Sequence, residues 1–168
     1  MSEVTIRPAH PAELADVGRL TVDAYRASGY RIGGPYAAKL ADATPRAHEA
    51  ELLVAADADD TILGTVTIAP PGSPWAQVAA ADELEFRMLA VSASARGRGV
   101  GEALTRAAVD RATELGLRAV VLSSSEEMTV AHRLYERLGF HRTPAKDWQP
   151  APAVTLITYR LELAPTPR

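Results

Sequence analysis

The sequence predicts a mixed α/β protein with one sheet and helices on its faces. Apolar residues alternate between strand-like and helical spacing in the order β-α-α-β-β-β-α-β-α-β-β, and glycines, prolines and short acidic turns separate the runs. At 168 residues, with 47% apolar and 23% charged side chains, the chain suits one globular core and is too short for two.

Residues 3–7 alternate as a short strand, and Pro11 then opens a helix over 11–27, with Leu14, Val17, Leu20 and Ala24 at helical spacing. Three glycines and a proline make 28–35 a loop, and a weaker helix follows over 36–43. The β-branched, apolar runs 51–56 and 61–69 flank the acidic turn Asp57-Ala-Asp-Asp60 and read as a hairpin. Pro70, Pro71, Gly72 and Pro74 end it, and a mobile loop is expected to about residue 82. Residues 84–91 form the next strand. Strict alternation would put Leu84, Phe86, Met88 and Ala90 on one face, and Glu83, Glu85, Arg87, Leu89 and Val91 on the other.

A helix over 102–115 closes on Gly116, a buried-type strand covers 118–123, and a helix over 129–138 closes on Gly139. Residues 140–142 and 154–163 read as the last strands, with the proline-rich stretch 144–152 between them and a frayed tail over 164–168.

Several function classes are set aside by composition. No cysteine is present, which excludes disulfides, thiolate metal sites and cysteine nucleophiles. His10, His48, His132 and His141 lack ligand spacing, so no metal is expected. The start of the chain lacks a signal-peptide pattern, and no apolar stretch approaches the roughly 18 residues of a spanning helix. A net charge of −3 argues against a broad grip on nucleic acid but permits a local anion site. A cytoplasmic protein away from membranes is the expectation.

That anion site is expected at Arg96-Gly97-Arg98-Gly99-Val100-Gly101, where a strand runs into a helix. Glycines there allow close approach, their N–H groups can converge on one anion, and the helix end adds about half a positive charge. A nucleotide P-loop would need a lysine followed by serine or threonine after the glycines, and none follows. A dinucleotide fingerprint would need glycine three places after Gly99, where Glu102 stands.

The pattern Arg-x-x-Gly-x-Gly, at Arg96, Gly99 and Gly101, resembles that of the GNAT superfamily of acyl-CoA-dependent N-acyltransferases. A second stretch, Ala131-His-Arg-Leu-Tyr135-Glu-Arg-Leu-Gly139-Phe140, resembles that family's other signature. Together the two signatures span about a third of the chain.

The resemblance implies a single GNAT-like α/β domain over 1–168, with a mixed, largely antiparallel sheet. It implies acetyl-CoA as acyl donor, a primary amine as acceptor and direct attack without an acyl-enzyme. The strand end at Leu89, Ala90 and Val91 would bind the pantetheine arm. Tyr135 would act as general acid toward the departing thiolate. A homodimer is a weaker implication.

The family often places an asparagine where Met128 stands, so Ser123, Ser124 or Ser125 would have to replace its contact. Glu102, in the first turn of the helix, is a second departure from the family's habit.

Acylation requires a neutral amine, and deprotonating a lysine-like ammonium at pH 7 costs about 4–5 kcal/mol. Glu85 is the first candidate for the base, Glu83 the reserve, and a water chain a third route. A solvated or self-paired face of Glu83, Glu85 and Arg87 is the structural alternative.

The resemblance also implies that the loop 28–35, with Tyr25, Tyr30 and Tyr36 around it, and the loop 144–152, with Asp147 and Trp148, border the acceptor, where aromatic walls and a carboxylate would suit a cationic amine. Transfer of a longer acyl group and a CoA-binding sensor with little turnover remain the rival functions.

Overall fold

The computed structural model describes residues 3–30 and 33–165. Residues 31 and 32 of the expected loop, and 166–168 of the expected tail, lie outside the described residues.

The chain runs β1 (Thr5–Pro8), α1 (Leu14–Ala27), α2 (Gly34–Ala41), α3 (Thr44–Glu49), β2 (Glu51–Ala56), β3 (Ile62–Ala69) and β4 (Glu83–Val91). It continues through α4 (Val100–Glu114), β5 (Ala119–Ser125), α5 (Thr129–Arg137), β6 (His141–Arg142), β7 (Trp148–Ala151) and β8 (Val154–Glu162). The strands form one sheet in the order β1-β2-β3-β4-β5-β8-β6, with β7 also on β8. Among the described residues, only the β4–β5 pairing is parallel.

Alternation along β2 shows how the sheet separates two layers. Leu52 and Val54 pack with Val17 of α1, while Leu53 and Ala55 join the core beneath α4 and α5, built around Phe86, Leu104, Leu122 and Tyr135. Gly18 lets α1 and α2 touch, since a Cβ there would lie 1.8 Å from the Ala41 carbonyl oxygen.

Two elements escape a pattern reading. Helix α3, opened by Pro45, is a six-residue helix whose Arg46 is fully buried. Its guanidinium donates to the carbonyls of Lys39, Leu40 and Asp42, closing the end of α2. Strand β7 uses Gln149 and Pro150 as an edge beside β8, a place where proline is tolerated. Helix α2 also starts two residues earlier than expected, with Pro35 in its first turn.

The stretch 70–82, expected as a mobile loop, is strapped to the sheet. One carboxylate oxygen of Glu85 accepts the N–H groups of Gln77, Val78 and Ala79 at 2.8, 2.8 and 3.0 Å, and Glu83 accepts that of Ala80 at 2.8 Å. Glu83 also pairs with Arg160 of β8. The acids of β4 therefore neither face solvent nor pair with Arg87; they fasten a loop and a neighbouring strand.

Strict alternation fails in β4 itself. Thr65 of β3 faces Ala90 and Thr67 faces Arg87, so β4 carries one extra residue across that step. Met88 takes the strain, with φ at +56°, rare for a bulky side chain. One extra residue inverts parity: Met88 and Ala90 join the α1–α2 side, and Leu89 and Val91 the α4–α5 side.

Candidate active site

The bulge lies where β4 and β5 part. Their pairing runs only from Glu83↔Ala119 to Glu85↔Val121, although β4 continues to Val91 and β5 to Ser125. Past Glu85 the facing edges have no strand between them, and backbone groups there are available to a ligand.

Two cavities open at this fork. The first, about 570 Å³, lies between the end of β4, the glycine loop and the start of α5. Leu89, Ala90 and Val91 form one wall, and Arg96, Gly97, Gly99, Val100 and Gly101 another. Arg98 does not border it.

Gly97 and Gly99 hold φ of +77° and +75° with open space around them, so their conformation is what requires glycine. At Gly101 the reason is contact, because a Cβ would sit 3.3 Å from Leu134 and 3.6 Å from Val91. Gly99 caps α4, and Ala103 is the first N–H to bond back, to the Gly99 carbonyl at 3.0 Å. The N–H groups before it have no intrahelical acceptor and lie at the positive end of the helix. Glu102 pairs with Arg106 at 3.8 Å, one turn further along the helix.

The second cavity, about 470 Å³, lies between α1, α2, β4, β5 and the β7–β8 hairpin. Tyr30 and Tyr36 line it, with ring centroids 6.0 Å apart, and Tyr25 stands edge-on to Tyr30 at 5.6 Å. Tyr135 lines it from α5, 4% exposed and packed among Phe86, Phe140 and Tyr159 at 5.8–5.9 Å. Burial pushes its phenol above the ordinary value, with the Tyr159 ring adding to the shift.

The two cavities share Tyr25, Leu89, Met128 and Ala131, so they meet at the fork.

Glu85 does not border either cavity. It is fully buried, and burial raises its pKa while the bonds from Val78, Gln77 and Ala79 lower it, for a net rise. Its second oxygen has no partner among the described residues, and Gln77, bonded to the first, does line the second cavity.

Ser123 accepts the Trp148 indole N–H at 3.0 Å, Ser124 shares a hydrogen bond with His132 at 3.0 Å, and Ser125 bonds Glu127. Asp147 accepts the Thr158 N–H at 2.9 Å and pairs with Arg142, so it braces the hairpin away from the cavity. Sequence reasoning had no means of adding Lys39 and Gln77, which reach the cavity from α2 and the strapped loop. Among the described residues, no cluster of three or more histidines or acids could hold a metal ion.

Residues 17–140 match the acetyltransferase (GNAT) family. The chain belongs to that family. Its sheet is the family's: an open, mostly antiparallel eight-stranded sheet in one α/β domain.

The chain is similar to a solved GCN5-related N-acetyltransferase from Kribbella flavida, 28% identical, with a TM-score of 0.71 over 95% of this chain and 98% of that one. A Salmonella typhimurium structure containing acetyl-CoA shares the fold at a TM-score of 0.68 and 20% identity, over 96% and 94% of the two chains. Among curated proteins it resembles mycothiol acetyltransferase of Cellulomonas flavigena, 35% identical over 117 residues. That match takes in 65% of this chain and 34% of the relative, so the chain spans about a third of that protein's length. Among the described residues, no helix is long and apolar enough to cross a membrane.

Proposed function

We propose that this GNAT chain is an N-acetyltransferase that moves the acetyl group of acetyl-CoA to a primary amine, both bound at once. The observation that carries the reading is the meeting of the two cavities at the β4–β5 fork, through Tyr25, Leu89, Met128 and Ala131. One cavity is lined by the glycine loop with Arg96 and the other by Tyr30 and Tyr36, which gives two adjoining sites for a ternary complex.

The residues present fit acetyl-CoA. The open-space glycines Gly97 and Gly99 and the start of α4 would hold its diphosphate, with Arg96 as a charged donor. The unpaired edge over Leu89, Ala90 and Val91 would hold the pantetheine arm by backbone hydrogen bonds. When bound, it supplies the acetyl group as a thioester. A backbone N–H of that edge, aimed at the carbonyl oxygen, contributes roughly 3–4 kcal/mol to lowering the barrier.

Tyr135 serves as the acid. A phenol raised by burial stays protonated throughout the assay range and donates its hydrogen bond to the departing sulfur. Its side chain lines the second cavity, within which that sulfur would lie.

Glu85 serves as the base through water. Its unpartnered oxygen and raised pKa make it a stronger proton acceptor than an ordinary carboxylate, and one bridging water beside Gln77 would connect it to the amine. The chain has no cysteine, in keeping with attack by the amine itself.

The test is thiol release from acetyl-CoA with a panel of primary amines, run on the wild type and on Tyr135→Phe. The wild type should turn over at least one amine. The variant, which keeps the ring packing, should lose about tenfold or more in kcat with little change in melting temperature. A chain that binds acetyl-CoA yet releases no thiol with any amine would instead be a CoA-binding sensor.

A further inference from the structure

The acceptor-side cavity has the wrong charge for a plain amine. Such an acceptor arrives as a cation and would gain from carboxylates nearby. Among the described residues that line the cavity, the charged ones are Lys39 and Arg87, and no carboxylate is present.

Arg87 is half-buried on β4, its guanidinium 5.5 Å from the centre of the Trp75 ring and its Nη1 donating to the Trp75 carbonyl at 3.3 Å. It forms no ion pair with any described residue. Glu85, two residues earlier on the same strand, commits one oxygen to the N–H groups of the strap. The fully buried Arg46 behind α2 is held by three carbonyls rather than by an acid. Arg87 acts on the buried Glu85 carboxyl, working against the rise in pKa that burial causes, but makes no direct ion pair with it, so guanidinium N–H groups remain for the oxyanion of a ligand.

Position agrees with charge. The bulge turns Met88 to the α1–α2 side, the side on which Arg87 meets Trp75, so the guanidinium lies on the acceptor's side of the fork. Arg87 lines the second cavity and lies across the bulge from Leu89, which borders both cavities. An α-amino acid carries its amino group and carboxylate on one carbon, so a guanidinium fork beside the strand opening would take the carboxylate and leave the amine toward Leu89.

We propose that the acceptor is amino-acid-like: a primary amine that also bears a carboxylate or similar oxyanion. Arg87 holds the oxyanion, exposed Lys39 adds a second positive charge, and Tyr30, Tyr36 and Phe86 receive an apolar or aromatic side chain.

This rests on the N-acetyltransferase reading, and the test separates the two. L-phenylalanine, L-leucine and L-methionine are compared with their decarboxylated amines as acceptors, on the wild type, Arg87→Gln and Arg87→Lys. The amino acids should exceed the amines at least tenfold in kcat/KM. Arg87→Gln should cut that ratio at least tenfold through KM for the amino acid, and Arg87→Lys should restore part of it. Melting temperature and acetyl-CoA affinity control for folding.

Amines accepted as well as or better than amino acids would overturn the inference and leave the acetyltransferase reading intact. If nothing is acetylated, the acetyltransferase reading falls, and calorimetric titration of the amino acids into the CoA-saturated protein decides the anion site. Heat lost in Arg87→Gln supports the site; no heat with the wild type overturns it.

Discussion

The two cavities at the β4 fork are built in opposite ways. The proposed phosphate side is made largely of one continuous stretch, from Leu89 to Gly101, and presents backbone groups and glycine conformations. The acceptor side draws side chains from α1, α2, β4, β5, α5 and the β7–β8 hairpin, which are far apart in the sequence. A continuous backbone site depends on local geometry and should be sensitive at single glycines. A dispersed side-chain site depends on how whole elements pack and on which charges the fold leaves unpaired.

The largest expected effect lies on the phosphate side. Gly99→Val places a β-branched residue at φ +75° and turns the cap of α4 away from its anion-binding geometry. Acetyl-CoA affinity measured by calorimetry should fall at least about 100-fold, a loss of some 2.7 kcal/mol. Because a side chain there meets nothing within 4 Å, melting temperature should fall less than binding does. Unchanged affinity would mean that the glycines are not the phosphate site.

Next comes Glu85, which belongs to neither wall yet reaches the acceptor side through Gln77. Glu85→Gln should lower kcat/KM about 100-fold and flatten the acid limb of its pH profile. The limb in the wild type should lie above the ordinary carboxylate value, because burial, the largest influence, raises the pKa. Linkage gives an independent sign. A pKa raised in the fold contributes stability that is fully present below the unfolded value of 4.5 and is lost as pH rises through the folded value. The stability of Glu85→Gln relative to the wild type should therefore improve as pH rises through that window. A loss of stability with an intact acid limb would leave Glu85 as a strap for the loop and no more.

The smallest effect tests packing behind the acceptor side. Gly18→Ala would drive a methyl group into the Ala41 carbonyl at the end of α2. Separating the two helices should cost about 1–3 kcal/mol, or on the order of 5 °C in melting temperature. Acceptor KM should rise while acetyl-CoA affinity holds, because Tyr36 and Lys39 travel with α2 whereas the glycine loop does not touch it. Parallel losses on both sides would show that the two cavities are not independent.

Legibility followed the same division. The hairpin Glu51–Ala56 with Ile62–Ala69, the helices closed by Gly116 and Gly139 and the strand-to-helix glycine loop were readable because each signal is local. The bulge at Met88 was not readable, because methionine carries no left-handed preference and only the pairing with β3 forces it there. Helix α3 was hidden by its short polar sequence, since its anchor is a buried Arg46 whose partners are carbonyls of another helix. The strap over 70–82 was read as loose from its prolines, because the carboxylates that hold it come from β4.

The sequence by itself determined the class of sheet, the order of most of its elements and the place of the strand-to-helix glycine loop. Those depend on backbone preferences and periodicity over a few neighbouring residues. Only the tertiary structure decided that β4 and β5 part after Glu85, that Glu85 turns away from the cavities, and that Arg87 lines the second cavity with no direct ion pair to a described residue. Each of these depends on a meeting between residues distant in the chain, where one extra residue in a strand reverses every side chain beyond it.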